Sequence, residues 1–443
     1  MVWMARKAVP LAISRVRGRG DASGEAENPI HVRAAEEMLQ QLGELKGLGL
    51  KLGQMLSYID GALPADAEPV FRRVLSKLQS DAPSLPWEAA RGVLEETLGD
   101  WQTHFSSVEE EPFAAASIGQ VHRGTLHDGT EVAIKIQYPG VADAVRADLA
   151  NLDGAKSLAK PMLALLGASS NAEFAGNVLE EIRARMEEEL DYEREARMQR
   201  RFAEMYAEVP DLVVPEVYPE HSGARVLVSR FEPGKGLDEV LDAPQELRNR
   251  WGRTLARAVT DSLYVHFTFN GDPHPGNYLF REDGTVVLLD FGCVKEIPES
   301  MAQDMRRYMT AAVIAARTDL PQDWSVFERA LAQALDFDHG DASVAKFMRE
   351  LFLFMIEPVL YDRDFEFTPQ WVAQMNDQML EGKRELIFGG GKMPRIPKMP
   401  PMPAGYTFIN RLQWGFYSVL TRLRAEFNWH ALLPADIRSA NAP

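Results

Sequence analysis

Apolar positions along the chain follow two rhythms. In the helical one, Met38, Leu42, Leu45, Leu48, Leu52, Met55 and Ile59 fall on one face, which predicts a helix running to about Asp60. Glu68–Gln79 and Trp87–Leu98 read as the next two helices. Phe174, Val178, Ile182, Met186 and Leu190 recur at i+4 on an acidic stretch from about Glu173 to Tyr206, which predicts one amphipathic helix with a single apolar stripe. Helices are also expected over Pro244–Asn270, over Glu299–Ala316 and onward through Leu380, and a last one sets Phe408, Leu412, Phe416, Leu420, Leu423 and Phe427 on one face. The strand rhythm appears in Val132-Ala133-Ile134-Lys135 and in Arg225 to Glu232, which ends at Pro233-Gly234. It recurs in Tyr278-Leu279-Phe280 and Val286-Val287-Leu288-Leu289, joined by Asp283-Gly284, a dipeptide that predicts a two-residue hairpin turn.

That hairpin separates the residues with the clearest chemistry. Asp272 precedes Asn277 in Asp272-Pro273-His274-Pro275-Gly276-Asn277, and Asp290-Phe291-Gly292 follows the second strand. The interval matches the catalytic loop D-x-x-x-x-N of kinases, where the Asp orients or deprotonates an attacking hydroxyl and the Asn holds Mg²⁺. Returning the chain through a hairpin would bring Asp290 to the same cleft as a second metal ligand, since hard divalent cations want several oxygen ligands. Upstream, Lys135 ends an apolar strand and can carry an ammonium to the α- and β-phosphates of a nucleotide. Its carboxylate partner belongs on the acidic helix, and composition alone does not choose among the acidic residues of Glu189 to Glu195.

Two features depart from an ordinary protein kinase. Before the Lys135 strand, where a glycine-rich loop is expected, stand Ala114, Ala115, Ala116 and Ser117, whose Cβ atoms penalise positive φ and hold the backbone away from a phosphate. Far upstream, Lys51-Leu52-Gly53-Gln54 sits within the first helical pattern. In these residues the chain resembles the UbiB/AarF family of atypical kinase-like proteins from about Ala34 to Phe427, with the K-x-G-Q helix, the alanine-rich loop, V-A-I-K, Glu189-x-Asp191 with Glu195, D-P-H-P-G-N and D-F-G in order.

The resemblance implies a two-lobed α+β fold of protein-kinase type, with an N-terminal helical extension and a mostly helical second lobe. It implies that Lys135 pairs with Glu195, that Lys51 and Gln54 cover the cleft with Lys51 reaching Glu189 and Asp191, that Asp272 is catalytic, and that Asn277 and Asp290 hold metal. ATP (or ADP) and Mg²⁺ are the implied cofactors. A covered cleft favours ATPase or small-molecule chemistry over protein phosphorylation, in support of prenyl-quinone lipid metabolism. By analogy with kinase hinges, the backbone near Phe231 and Glu232 should meet the adenine. Where the family commonly has His-Ala or His-Gly before the Asp, this chain has Asn270-Gly271.

Composition narrows the alternatives. The chain has 443 residues, 46% of them hydrophobic, enough for a large core with appendages. The expected divisions are a basic N-terminus over 1–30, the K-x-G-Q extension over 31–85, a first lobe over 86–235, a second over 236–388, and a Pro/Gly linker with a C-terminal helix over 389–443. A net charge of −17 opposes nonspecific nucleic-acid binding. The single cysteine, Cys293, excludes an intrachain disulfide and suits a reducing cytoplasm, and directly after D-F-G it reads as small apolar packing. No stretch approaches the ~20 apolar residues that span a bilayer. The basic, amphipathic Met1–Gly20 reads as a solvated terminus, a segment that rests on an anionic membrane surface, or an organelle presequence, and the apolar face from Phe408 to Phe427 packs on the second lobe or seats a lipid or partner; the resemblance implies a lipid or quinone-precursor small molecule as a partner beside the nucleotide. Two other functions fit less well. One is a phosphotransferase like the antibiotic-modifying enzymes, disfavoured by K-x-G-Q and the alanine-rich loop; the other is a nucleotide-gated scaffold with little turnover.

Overall fold

A computed structural model of the protein describes residues 85–116, 118–154, 183–317, 323–337, 340–375, 377–378 and 404–439. The K-x-G-Q helix with Lys51 and Gln54, the helix over Glu68–Gln79, the linker over 389–403 and Ser117 lie outside them. The described chain divides into two compact units. One holds the residues up to Arg200 with Glu216–Phe231, and the other holds Arg201–Pro215 and everything from Glu232 onward.

The first unit is built on an antiparallel sheet. Helix α1 (Trp87–Leu98) leads into β1 (Phe105–Val108), β2 (Ala114–Ala116), β3 (Gly119–Leu126) and β4 (Glu131–Gln137), followed by α2 (Val141–Gly154). After the helical residues 183–190 come α3 (Tyr192–Met205), whose last residues belong to the second unit, and β5 (Val226–Arg230). Strand order is β1-β3-β4-β5, with β2 also paired to β3. Alternation does the sorting: Val132, Ile134 and Ile136 of β4 are buried with Val226 and Val228 of β5 against Ala90, Val93 and Leu94 of α1. Ala133 and Lys135 therefore point to the opposite face. The alanine-rich segment is itself a strand, Ala114 opposite Val121 and Ala116 opposite Gly119, not an open loop.

The acidic segment is two helices instead of one. Asp191 breaks it by acting as an N-cap: its Oδ1 accepts the Arg194 N–H at 2.8 Å, which satisfies a donor that a helix start otherwise leaves orphaned.

In the second unit, α4 (Gln245–Tyr264) is shorter than the helix expected through Asn270. Phe267 takes a positive φ of 50°, and Thr268–Asn270 leave the helix to form a strand, β6. There follow β7 (Tyr278–Phe280), β8 (Val286–Leu288) and β9 (Val294–Glu296), with β6 pairing to β9 and β7 to β8. Strand pairing outweighs the helical periodicity here. The β7–β8 connection is a three-residue loop, Glu282-Asp283-Gly284, and not the two-residue turn expected. Gly284 N–H reaches Arg281 O at 3.0 Å, and Gly284 then adopts φ 90°. This is a turn closed by a residue in the left-handed region, which glycine occupies without strain.

Helices α5 (Glu299–Ala316), α6 (Ser325–Leu335), α7 (Ala342–Met355) and α8 (Ala404–Leu423) follow, with short helical turns over Glu357–Leu360 and Ala435–Arg438. The apolar face of α8 is buried, with Leu412, Phe416, Leu420 and Leu423 in the core, each such side chain contributing about 1.5–3 kcal/mol. The helix stops four residues before Phe427 because Arg424 turns left-handed at φ 47° and Ala425 N–H returns to Leu420 O at 3.1 Å. Phe427 is buried all the same, on a short strand beside Phe365.

Candidate active site

In the first unit, strand β4 delivers Lys135 to the sheet face opposite α1, where its ammonium donates to both carboxylate oxygens of Glu195, at 2.6 and 2.8 Å. Glu195 lies in the first turn of α3, where the helix dipole favours a negative charge, and its own N–H is held by Asp191 O at 3.0 Å. The pair is well shielded, with side-chain exposures of 20% for Lys135 and 4% for Glu195, and the ammonium also sits 4.9 Å from the Tyr192 ring centre. A Lys placed this way is a fixed positive charge on a rigid strand, suited to a polyphosphate. Among the neighbouring acids, Glu189 is half-buried at the end of the preceding helix, and Asp191 is exposed and spent on the cap. Ala114 and Ala115 are exposed and Ala116 half-buried on β2. Phe231 follows β5 with its N–H already donated to Glu131 O at 2.9 Å, and its ring meets the Phe113 ring edge-on at 5.6 Å.

In the second unit, β6 ends at Asn270 and the chain turns into the Asp272 loop. Pro275–Asn277 form a single tight turn, with Asn277 N–H on His274 O at 2.9 Å and Gly276 N–H on His274 Nδ1 at 3.0 Å. The Asn277 side-chain amide donates to Asp272 O at 2.9 Å, which fixes the two residues against each other. Asn277 O accepts Leu289 N–H at 3.0 Å, so the hairpin sets Asn277 across from the residue before Asp290. Asp290 Oδ1 accepts Gly292 N–H at 2.9 Å, and Phe291 is buried against Phe202, ring centres 5.2 Å apart. Burial and the nearby Asp272 charge push the Tyr278 hydroxyl well above its usual range, so that wall of the loop stays neutral. Cys293 is buried and its carbonyl accepts Gly271 N–H at 3.0 Å. Glu232 begins this unit in an ion pair with Arg281, which also donates to Pro233 O at 2.8 Å.

The donor set suits Mg²⁺. With Asn277 Nδ2 and Asp290 Oδ1 engaged internally, Asn277 Oδ1 and Asp290 Oδ2 are the oxygens these side chains can offer a cation. Among the described residues no cluster of three His, Cys, Asp or Glu could hold a metal by itself. Two hard oxygen donors short of a full cage is the arrangement in which Mg²⁺ is shared with a substrate's phosphates. Sequence reasoning named Asn270 only as a departure from the family and Asp191 only as a cleft residue, missing that Asn270 bonds into both sides of the loop and that Asp191 caps the helix under Glu195; it did not single out Gly415, which lets α8 approach Pro273. An Asn or Asp two residues before a turn is a legible signal; a glycine needed for a distant contact is not.

A sheet-borne Lys on a helical Glu, with an Asp and Asn loop followed by D-F-G, defines a kinase-like α+β protein of the class that binds ATP. Residues 77–323 match the model of the ABC1 atypical kinase-like domain, more than half of the chain, and the protein belongs to that family, the UbiB/AarF atypical kinases. It is 30% identical over 93% of its length to the mitochondrial atypical kinase COQ8B of Danio rerio, and 39% identical over 62% to that of Rattus norvegicus. It is 30% identical over 64% to the mitochondrial atypical kinase COQ8 of Saccharomyces cerevisiae. The chain spans 62%, 50% and 55% of the length of these three relatives. Among solved structures, Rv3197 of Mycobacterium tuberculosis in complex with erythromycin is similar with a TM-score of 0.63 and 30% identity, covering 91% of this chain and 95% of that one. No helix among the described residues is long and apolar enough to cross a membrane.

Proposed function

We propose that the protein is an ATP-dependent enzyme that hydrolyses ATP or phosphorylates a small molecule, in support of prenyl-quinone lipid metabolism of the kind its COQ8 relatives' names point to. The observation that carries the reading is the Lys135–Glu195 pair, an ammonium held in place at 2.6 Å on a strand, which supports a role in binding phosphate. In this reading Lys135 holds the nucleotide phosphates, Ala114–Ser117 lie over them, and the chain at Phe231 and Glu232 holds the base. Asn277 and Asp290 hold Mg²⁺, which when bound neutralises charge on the transferring phosphoryl group. Asp272 orients the attacking hydroxyl or water and accepts its proton. Lys51 and Gln54 cover the site over Glu189 and Asp191, and the apolar acceptor reaches the enzyme from an anionic membrane surface.

The test is Mg²⁺-dependent ATP hydrolysis by the purified chain, with and without anionic vesicles and a quinone-like phenol. Asp290→Asn and Asp272→Asn should each lower turnover by about 10²–10³-fold, the cost of removing one preorganised polar group from such a site, without loss of the folded state. Nucleotide binding without turnover under every condition would overturn the enzymatic reading and favour a nucleotide-gated scaffold.

A further inference from the structure

Asn270 closes a chain of hydrogen bonds that runs through Asp272, Asn277 and the Asp290 carbonyl. Its Nδ2 donates to the carbonyl of Asp290, and its Oδ1 accepts the N–H of Asp272 at 3.0 Å. The Asp272 carbonyl in turn accepts Asn277 Nδ2 at 2.9 Å. Asn270 itself is the last residue of β6, paired with Val294 of β9, so the brace is anchored where the loop leaves the sheet and where D-F-G enters it. Gly271 N–H on Cys293 O, at 3.0 Å, continues that ladder by one rung.

We propose that Asn270 is a positioning residue that couples Asp290 to Asp272 and thereby sets the affinity of the site for its divalent cation; this rests on the nucleotide reading above. The requirement is one donor and one acceptor on a short, stiff side chain. Asparagine meets it with a single amide plane. Aspartate keeps the acceptor for Asp272 N–H but cannot donate to the Asp290 carbonyl, and it sets a second negative charge beside that carboxylate. Leucine keeps the shape and loses both bonds. A neutral imidazole offers one donor and one acceptor, so histidine should substitute in part. Groups that orient a metal ligand from behind are worth about 10–100-fold in metal affinity.

The experiment compares the full-length protein with Asn270→Leu, Asn270→Asp and Asn270→His, after circular dichroism shows each to be folded. Amide hydrogen exchange without ligand reads the brace directly. Peptides holding Asp272 and Asp290–Gly292 should exchange about 10-fold faster in the Leu variant, while α5 peptides stay unchanged. Mn²⁺ binding in the presence of ADP, followed by electron paramagnetic resonance, reads the consequence: about 10-fold weaker in the Leu and Asp variants and partly recovered in the His variant. Unchanged exchange at Asp272, or unchanged Mn²⁺ affinity in folded Leu and Asp variants, would overturn the proposal. A wild-type protein that binds no nucleotide with Mn²⁺ would instead remove the reading it rests on, with hydrogen exchange still deciding the brace.

Discussion

The two units hold their polar groups by different means. In the first, charge holds charge: Lys135 and Glu195 meet directly, mostly out of solvent, on a strand and a helix start. In the second, the loop of Asp272, Asn277 and Asp290 is held by neutral amides and backbone groups, and Asp290 makes no ion pair among the described residues. The first arrangement is complete before any ligand arrives. The second leaves the Asp290 carboxylate outside any ion pair among the described residues and obtains rigidity from hydrogen bonds to neutral groups.

Removing Lys135 should break the comparison most severely. Breaking a buried pair on one side takes from the other charge its direct ion-pair partner, a loss of about 3–5 kcal/mol when both partners are fully enclosed. Lys135 keeps a fifth of its side chain exposed, so about 2–3 kcal/mol is expected for Lys135→Met. The double variant Lys135→Met/Glu195→Leu, which removes both charges, should regain most of it. Urea unfolding of the three proteins checks this; a single variant as stable as wild type would mean that water reaches Glu195 freely.

The second unit should be vulnerable to volume instead. A Cβ on Gly415 of α8 would lie 2.3 Å from Pro273 Cγ, in the ring that follows Asp272. On an exposed helix Gly→Ala gains about 1 kcal/mol. Here overpacking against a rigid proline, about 1–3 kcal/mol, opposes that gain. The expected net loss is about 1 kcal/mol, accompanied by a fall in turnover larger than the stability change because Pro273 moves with Asp272. If Gly415→Ala stabilised the protein and left turnover intact, α8 would have no part in supporting the loop.

Much of this was legible in the chain because the signals are local. Trp87–Leu98 and Glu299–Ala316 have the predicted bounds, since periodicity and the prolines before them mark both ends. Asp272, Asn277 and Asp290 stand out by interval alone. The sequence misled where a local pattern met a tertiary demand: helical spacing continued through Thr268–Asn270, but their partners Val294–Glu296 lie on a strand more than twenty residues on. The acidic segment reads as one helix to Tyr206 although its i+4 stripe ends at Leu190, because the capping role of Asp191 shows only when the chain is seen to turn. Asn270 was visible as a departure from the family's histidine, and its double hydrogen bond depends on the Asp290 carbonyl, which spacing does not place.

The smallest effect expected separates the two faces of the first unit's sheet. Opposite Lys135, His122 is fully buried, with Nε2 at 2.8 Å from Gln120 Nε2 and Nδ1 at 2.8 Å from Glu109 O. An amide nitrogen can only donate, so His122 Nε2 accepts and Nδ1–H donates: the ring is neutral, in a relay that ends with Leu85 N–H on Gln120 Oε1 at 3.0 Å. Burial holds its pKa below the usual 6.5, only partly offset by the Glu109 carbonyl. The unfolded chain therefore takes up a proton as pH falls through 6.5 while the folded one does not, and stability declines from there down to the lowered folded value. His221 is also lowered, mainly by burial, with Glu220 and Asp128 opposing and His104 reinforcing, so it contributes in the same direction. Between pH 7 and pH 5 His122 should therefore lower stability as the pH falls, a slope that urea unfolding across that range reads. His122→Asn, made in a His221→Asn background to remove the second titration, should flatten that slope while lowering stability at pH 7. An unchanged slope would mean that protonated His122 is accommodated in the core, and that the relay through Gln120 reorganises as readily as the face that carries Lys135 does not.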